Sequence, residues 1–340
     1  MSLNRQNILV IRNDKLGDFM LAWPAMAALK SSLPEARIAV LVPEYTAPLA
    51  RICPSVDEVI VDPRLQGEWA NAGALAALFK PRRFDAVITL FSRFDTGLAV
   101  WRAGIQHRMA PATKLAQIFY NDRVPQRRSR SEKPEYEYNL DLVQCFLMEQ
   151  GVTIQPVEAP YLRFDGSEID RLKSNFMKEH GIAARSKLVF IHAGHGGSAA
   201  NLSPEQYAEL ASRLSAAGAY QAVLSAGPGE EKAAMRLTEM LKVPRTLYIS
   251  RKGLVEFAKH LAFADLFISG STGPLHLAAA LDRPTAAFYP RRRSSTPLRW
   301  QTVNHEDRRL AFTPPDGSGE SDMSKVDLDA AAAAIAARFF

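Results

Sequence analysis

The chain of 340 residues contains only two cysteines, Cys53 and Cys145. They lack Cys-x-x-Cys spacing, so neither a disulfide framework nor a thiolate zinc site is indicated, and a reducing compartment is the default. No window of about 18 residues is apolar enough to span a bilayer. The first residues run straight into a strand without the apolar core of a signal peptide. The expectation is a cytoplasmic protein whose contact with the inner face of a membrane is peripheral. Gly-x-Gly-x-x-Gly and Walker patterns are missing, which argues against a standard dinucleotide or P-loop site. A metal-ligand set is missing too. His192 and His195 lie across a turn without an acidic partner, and Asp327-Leu-Asp329 reads as helix capping before it reads as a metal pair. No metal and no resident cofactor are expected.

An excess of one charge is also slight, with 42 Lys and Arg against 36 Asp and Glu and a formal charge of +6. The basic residues gather in Arg82-Arg83, Arg127-Arg128-Ser129-Arg130 and Arg291-Arg292-Arg293. Such clusters suit phosphate-bearing partners or an anionic membrane surface, and they also suit solvated arginines with local ion pairs. A nucleic-acid binder is not expected, because basic clusters alone leave the glycine-bearing turns described below unexplained.

What is present is alternation. Apolar runs at 8–11, 37–42, 58–61, 86–90, 188–192, 222–225, 246–249, 266–268 and 285–289 read as strands, with helical patterns between them. That is the signature of parallel sheets wrapped by helices. A polar, proline-containing stretch at 155–168 separates two such series. The expected organisation is a Rossmann-like doubly wound α/β domain over 1–160 and a second over 161–320. A capped, alanine-rich helix in 321–340 is expected to pack back on the first domain. Ligands of such sheets bind beyond the carboxyl ends of the strands.

Four strand-to-helix turns carry candidate chemistry. Ser269-Gly-Ser-Thr-Gly273 leads into Pro274-Leu-His276, where Pro274 fits the first helical position. Its free backbone N–H groups, the positive helix end and the Ser271, Thr272 and His276 side chains suit a diphosphate. His192-Ala-Gly-His-Gly196-Gly197-Ser198-Ala-Ala-Asn201 offers a nest of N–H groups, or glycine used merely for loop flexibility. In Ser225-Ala-Gly-Pro-Gly-Glu230-Glu231 either glutamate fits a ribose hydroxyl or a helix start. In Arg12-Asn-Asp-Lys-Leu-Gly17-Asp18, the Asp18 carboxylate suits a general base on a bound hydroxyl, or a helix N-cap ahead of one long helix from Phe19.

These turns, together with Ile8-Leu-Val-Ile-Arg12, Pro24-Ala25, Phe119-Tyr-Asn-Asp-Arg-Val124 and Asn139-Leu-Asp-Leu142, resemble glycosyltransferase family nine, the family of ADP-heptose:lipopolysaccharide heptosyltransferases. The resemblance covers most of the chain. It implies a GT-B architecture, with two Rossmann-like domains facing across a cleft, and an inverting, metal-independent transfer. Asp18 falls on the family's catalytic aspartate. The implied donor side comprises Gly196, Gly197, Ser198, Asn201, Glu230, Glu231, Ser271, Thr272, Gly273 and His276. Acceptor-side candidates, assigned by location, are Gly17, Arg64, Arg93, Arg127 and Arg128. The implied donor is a nucleotide sugar linked to ADP, and the implied acceptor a lipopolysaccharide core or related glycolipid. The chain departs from many members at Asn201, Ser271 and Pro134, where they carry Lys, Asp and His. Other readings keep the reaction with a different nucleotide sugar or a glycan or protein acceptor, or make the chain a nucleotide-sugar epimerase.

Overall fold

Apolar runs too short for helices become the central strands of two parallel sheets. The computed structural model describes residues 6–194 and 200–340, and it divides into two units, Met1–Tyr161 and Leu162–Phe340. In the first unit β1 (Asn7–Ile11), α1 (Leu16–Met20), α2 (Trp23–Ser32), β2 (Arg37–Val42), α3 (Ala47–Arg51) and β3 (Glu58–Val61) are followed by α4 (Glu68–Phe79), β4 (Ala86–Thr89), α5 (Phe94–Arg102), β5 (His107–Pro111), β6 (Asp122–Val124) and α6 (Glu135–Glu149). The second holds α7 (Gly166–Glu179), β7 (Lys187–His192), α8 (Pro204–Leu214), β8 (Tyr220–Ala226), α9 (Glu231–Met240) and β9 (Arg245–Ile249). It continues with α10 (Leu254–Leu261), β10 (Leu266–Gly270), α11 (Gly273–Ala280), β11 (Thr285–Phe288), β12 (Arg309–Phe312) and α12 (Leu328–Phe339).

The sheet orders are β3-β2-β1-β4-β5-β6 and β12-β11-β10-β7-β8-β9. Counted within each unit, both run 3-2-1-4-5-6, the doubly wound order, and every pairing is parallel. In such a sheet the chain leaves strands one and four in opposite directions, opening a crevice at their carboxyl ends. Those switch points are β1/β4 and β7/β10. Strands Ile8–Ile11 and Leu188–Ile191 are buried, as strands covered by helices on both faces must be.

Three strands escape the sequence pattern. β5 carries His107, Arg108 and Pro111, β6 is the three-residue Asp-Arg-Val, and β12 begins at Arg309. β6 and β12 are sheet edges, where polar side chains and short length are tolerated. The single helix expected from Phe19 is two, because Pro24 sits in the first turn of α2 and cannot donate to a continuing helix. α12 packs on α8 and joins the second unit's core through Ala331, Ala332 and Ile335. The sequence had it returning to the first domain. Asp327 caps it by accepting from the Ala330 amide at 2.9 Å.

Candidate functional site

At the switch point of the first unit, β1 ends in Ile11 and the next residue, Arg12, is buried. Its guanidinium is a hub. Nε donates to Asp14 at 3.0 Å, Nη2 to Asp18 at 2.6 Å, and Nη1 to Glu135 at 3.0 Å and Asn139 at 3.1 Å. Glu135 Oε1 also accepts from Arg128 Nη1 at 2.7 Å, so two guanidinium groups face three carboxylates. Burial works against the Arg12 charge, but Asp14, Asp18 and Glu135 outweigh it and hold its pKa above the usual arginine value. Burial pushes the Asp14 carboxyl up to about 6, against the pull of Arg12 and with help from Asp18. The N-cap of α1 is Lys15, so Asp18 lies inside the first turn and points its carboxylate at Arg12. The N-cap alternative is thereby removed. An ion pair fixes one Asp18 oxygen and leaves the second for another partner.

A second polar chain adjoins the hub. Asn13 donates to Asp62 at 2.6 Å, and Asn71 donates to both Asp62 and Asp95. Arg93 holds Asp95 through two bonds of 3.0 Å, and Arg64 donates to the Asn13 carbonyl at 2.6 Å. Arg64 itself has φ +47° and gives its own amide to Asp62. The carboxyl ends of β1, β3 and β4 therefore carry two hydrogen-bonded groups, one with Asp18 and Arg128 and the other with Arg64 and Arg93, which meet at the consecutive residues Arg12 and Asn13. Gly17 receives the Leu21 amide on its carbonyl and so closes α1. Arg127 is exposed beside the network, and its carbonyl accepts from the Tyr138 hydroxyl.

In the second unit the turn after β10 opens α11. Thr272 is the N-cap of α11, accepting from the Leu275 amide at 3.4 Å and sharing a hydrogen bond with Ser269. Gly273 opens the helix and Pro274 is its second residue, one place later than the sequence suggests. Pro274 has no N–H and Leu275 is capped by Thr272, which leaves the Gly273 amide as the exception among the first three residues of α11. His276 is buried, and burial alone lowers its pKa to about 4, so it is neutral at pH 7. Its Nδ1 has no hydrogen-bond partner among the described residues. Neighbouring Ser271 already has a partner.

Glu230 and Glu231 are both pinned to the turn they follow. Glu230 accepts from the Gly227 amide at 3.0 Å and Glu231 from Gly229 at 2.8 Å. Glu230 also lies 3.6 Å from Nε2 of His192, the last residue of β7. Burial lowers the His192 pKa, with Glu230 opposing. A Cβ on Gly194 would meet the Glu230 carboxylate at 2.2 Å, so glycine is what lets the β7 and β8 turns approach. The Asn201 amide is taken up in packing: Nδ2 donates to the Ala193 carbonyl, and Oδ1 accepts from Leu202 and from the Tyr207 hydroxyl. Gly196, Gly197 and Ser198 lie outside the described residues.

Sequence reasoning passed over Arg12 and Asp14 as site residues although both stand in the turn that holds Asp18. The signal was a charged residue directly after a buried strand. Glu135 and Asn139 had no local signal, since they reach Arg12 from 123 and 127 positions away. His107 Nε2 lies 3.3 Å from Asp122 and 3.2 Å from Glu149, so the three side chains cluster. His107 and Asp122 begin β5 and β6, at the amino ends of the strands and away from the carboxyl ends that carry the hub.

With this geometry in view, comparison with known proteins is specific. The family model described as glycosyltransferase family 9 (heptosyltransferase) matches residues 73–316. A Haemophilus influenzae protein described as a candidate glycosyltransferase is 47% identical over 97% of this chain and 96% of its own. Lipopolysaccharide heptosyltransferase 2 of Salmonella typhimurium is 26% identical over 83% of this chain and 82% of its own. Among solved structures, Escherichia coli ADP-heptose lipopolysaccharide heptosyltransferase II superposes with a TM-score of 0.74 at 23% identity, covering 96% of each chain. An Escherichia coli heptosyltransferase solved with ADP gives 0.73 at 21% identity, covering 98% of this chain and 99% of that one.

Proposed function

The chain belongs to glycosyltransferase family 9 and has its GT-B fold, and from that premise we propose that it transfers heptose from ADP-heptose to a lipopolysaccharide core acceptor with inversion at the anomeric carbon. Asp18 is the general base. The observation that carries this reading is the Asp18 carboxylate, held by Arg12 at 2.6 Å beside the switch point of the acceptor-side sheet. Asp18 takes the proton of an acceptor hydroxyl while that oxygen forms its bond to the anomeric carbon. The carbon–oxygen bond to the diphosphate breaks on the opposite face, and its electron pair leaves with ADP. The departing charge meets the Gly273 amide and the positive end of α11. Neutral His276 serves as a hydrogen-bonding group. No step in this scheme calls on a metal, so a chelator is expected to leave the rate unchanged.

The names of the relatives support the substrates, and a glycolipid acceptor places the enzyme at the inner face of the membrane. No described helix is long and apolar enough to cross one. Asp18→Asn is expected to lower transfer by about 10²–10⁴-fold while ADP still raises the melting temperature as in the native protein. Mass spectrometry of a heptose-deficient core acceptor incubated with ADP-heptose provides the assay. Transfer by the variant at the native rate overturns the assignment.

One observation favours a second reading, a different nucleotide sugar. Asn201 is committed to packing where many relatives carry a lysine, so that position supplies no charge to a donor phosphate. Melting shifts with ADP, UDP and GDP separate the two, and a larger shift with UDP or GDP removes ADP-heptose.

A further inference from the structure

Large apolar side chains on a soluble surface are usually scattered. Here four of them meet. Trp69 is 63% exposed, Trp101 57%, Leu115 82% and Ile118 67%, and they stand on three neighbouring pieces of the first unit: the start of α4, α5, and the 3-10 turn Leu115–Phe119. The rings form one chain, with centroids 5.5 Å apart for Trp69–Phe94, 5.3 Å for Phe94–Phe119 and 6.4 Å for Trp101–Phe119. Phe94 and Trp101 are seven positions apart on α5, two turns along one helix face. Gly97 lets the 3-10 turn close on that helix, because a Cβ there would lie 2.9 Å from the Phe119 ring. Leu115 and Ile118 are thus held outward by packing behind them.

Cations border the rings. The Arg102 guanidinium lies over Trp69 at 5.3 Å, and Lys114, the chain neighbour of Leu115, sets its Nζ 4.3 Å over the ring of Phe91, which stands outside that chain of rings. Both residues are exposed, as is Arg93, and Glu68 is the acidic neighbour. Tryptophan rings, two aliphatic tips and long cationic side chains that share a face suit the boundary between lipid headgroups and acyl chains.

We infer that this face docks the protein on a bilayer containing anionic lipid, with Trp69, Trp101, Leu115 and Ile118 entering the headgroup boundary and Arg102 and Lys114 meeting phosphates. A second copy fits less well, since the face carries the exposed cations Arg93, Arg102 and Lys114 against the acid Glu68, and a two-fold contact would set an excess of positive charge against the same excess. The inference extends the glycolipid reading of the acceptor. Arg93 joins the face to Asp95 and so to the network that reaches Asn13, beside the hub of Asp18. A lipid-anchored acceptor would then be presented at the membrane-facing end of its own site.

Sedimentation with vesicles of phosphatidylethanolamine and phosphatidylglycerol, against vesicles of phosphatidylcholine alone, tests this on the full chain. The native protein should bind the anionic vesicles. Leu115→Asp with Ile118→Asp should lower partitioning about tenfold or more, from lost apolar insertion. Arg102→Glu with Lys114→Glu should remove the preference for phosphatidylglycerol. All four side chains are exposed, so melting temperatures should stay at the native value. Native protein that stays in the supernatant overturns the inference, as does undiminished binding by both double variants. A native dimer by light scattering that Leu115→Asp/Ile118→Asp converts to monomer, without vesicle binding, overturns it in favour of a second copy. Vesicle binding by a native protein that glycosylates no glycolipid would leave the docking face standing and remove the acceptor reading instead.

Discussion

Arg12 is the residue on which the first half-site depends. A planar guanidinium offers five donors in a fixed fork, so one side chain can orient Asp14, Asp18 and Glu135 together, which an ammonium cannot do. Removing it strands buried carboxylates. Arg12→Met should cost about 3–5 kcal/mol of stability near pH 7.5, read by urea unfolding, and the deficit should shrink towards pH 5 as the carboxyls take up protons. A deficit independent of pH would mean that lost packing, not charge, is responsible. His276 yields a prediction of opposite sign. Its pKa falls from 6.5 to about 4 on folding, so between those values the unfolded chain binds more protons. The stability tied to it is complete above about pH 6.5 and is lost as pH falls towards 4, by about 3 kcal/mol in all. Asp14 rises from 3.8 to about 6, so its contribution falls as pH climbs through that window and partly offsets the first. His276→Gln should therefore remove the loss on acidification, and unfolding curves between pH 4.5 and 7 that match the native dependence would contradict a neutral, buried imidazole.

At the scale of elements, the turns are tuned by close approach. A Cβ on Gly270 would lie 2.4 Å from Asn201 Oδ1, and Asn201 cannot swing away without releasing Ala193, Leu202 and Tyr207. Gly270→Ala is expected to destabilise the second unit by about 1–3 kcal/mol, the cost of overpacking. A thermal melt within one degree of native would show that the amide yields. The same turns show how far a sequence speaks. Strands β1, β2, β4, β7, β8, β10 and β11 were legible because burial on both faces demands apolar runs, and the outer strands β3 and β9 because they keep β-branched and aromatic residues although they are only half-buried. β5, β6 and β12 were not, because edge position or a partly exposed start admits Arg, Asp and Pro. Thr272 and Asp18 were singled out because each stands in a turn directly after a buried strand. Glu135 was invisible, for its partner is fixed by the path of α6 and not by any local spacing. Pro24 was visible, yet its effect in starting α2 afresh was read as continuation.

At the scale of the molecule, each unit has its own sheet and its own core. What closes the second core is α12. Its alanine-rich face made the helix legible, but small side chains do not say which surface they cover. The structure answers with α8, whose Leu210, Ala211 and Leu214 share a buried cluster with Leu328, Ala331, Ala332 and Ile335. Polar ties hold both ends. Arg213 pairs with Asp329 near the start, and Lys187 Nζ donates to the Phe339 carbonyl at 2.8 Å and to Phe340 at 3.1 Å, a cation on the negative end of the helix. A chain ending at Lys325 should therefore lose the second unit's stability, since Leu328 and Ile335 alone are worth about 1.5–3 kcal/mol each. Hydrogen exchange is the suitable measurement, because it reports each strand separately. Protection should fall across β7, β8 and α8 and persist in β1 and β2, whose side chains are absent from the cluster that α12 closes. Equal loss in both sheets would show that α12 stabilises more than its own unit, and unchanged protection in β7 would show that α8 is sufficiently covered without it.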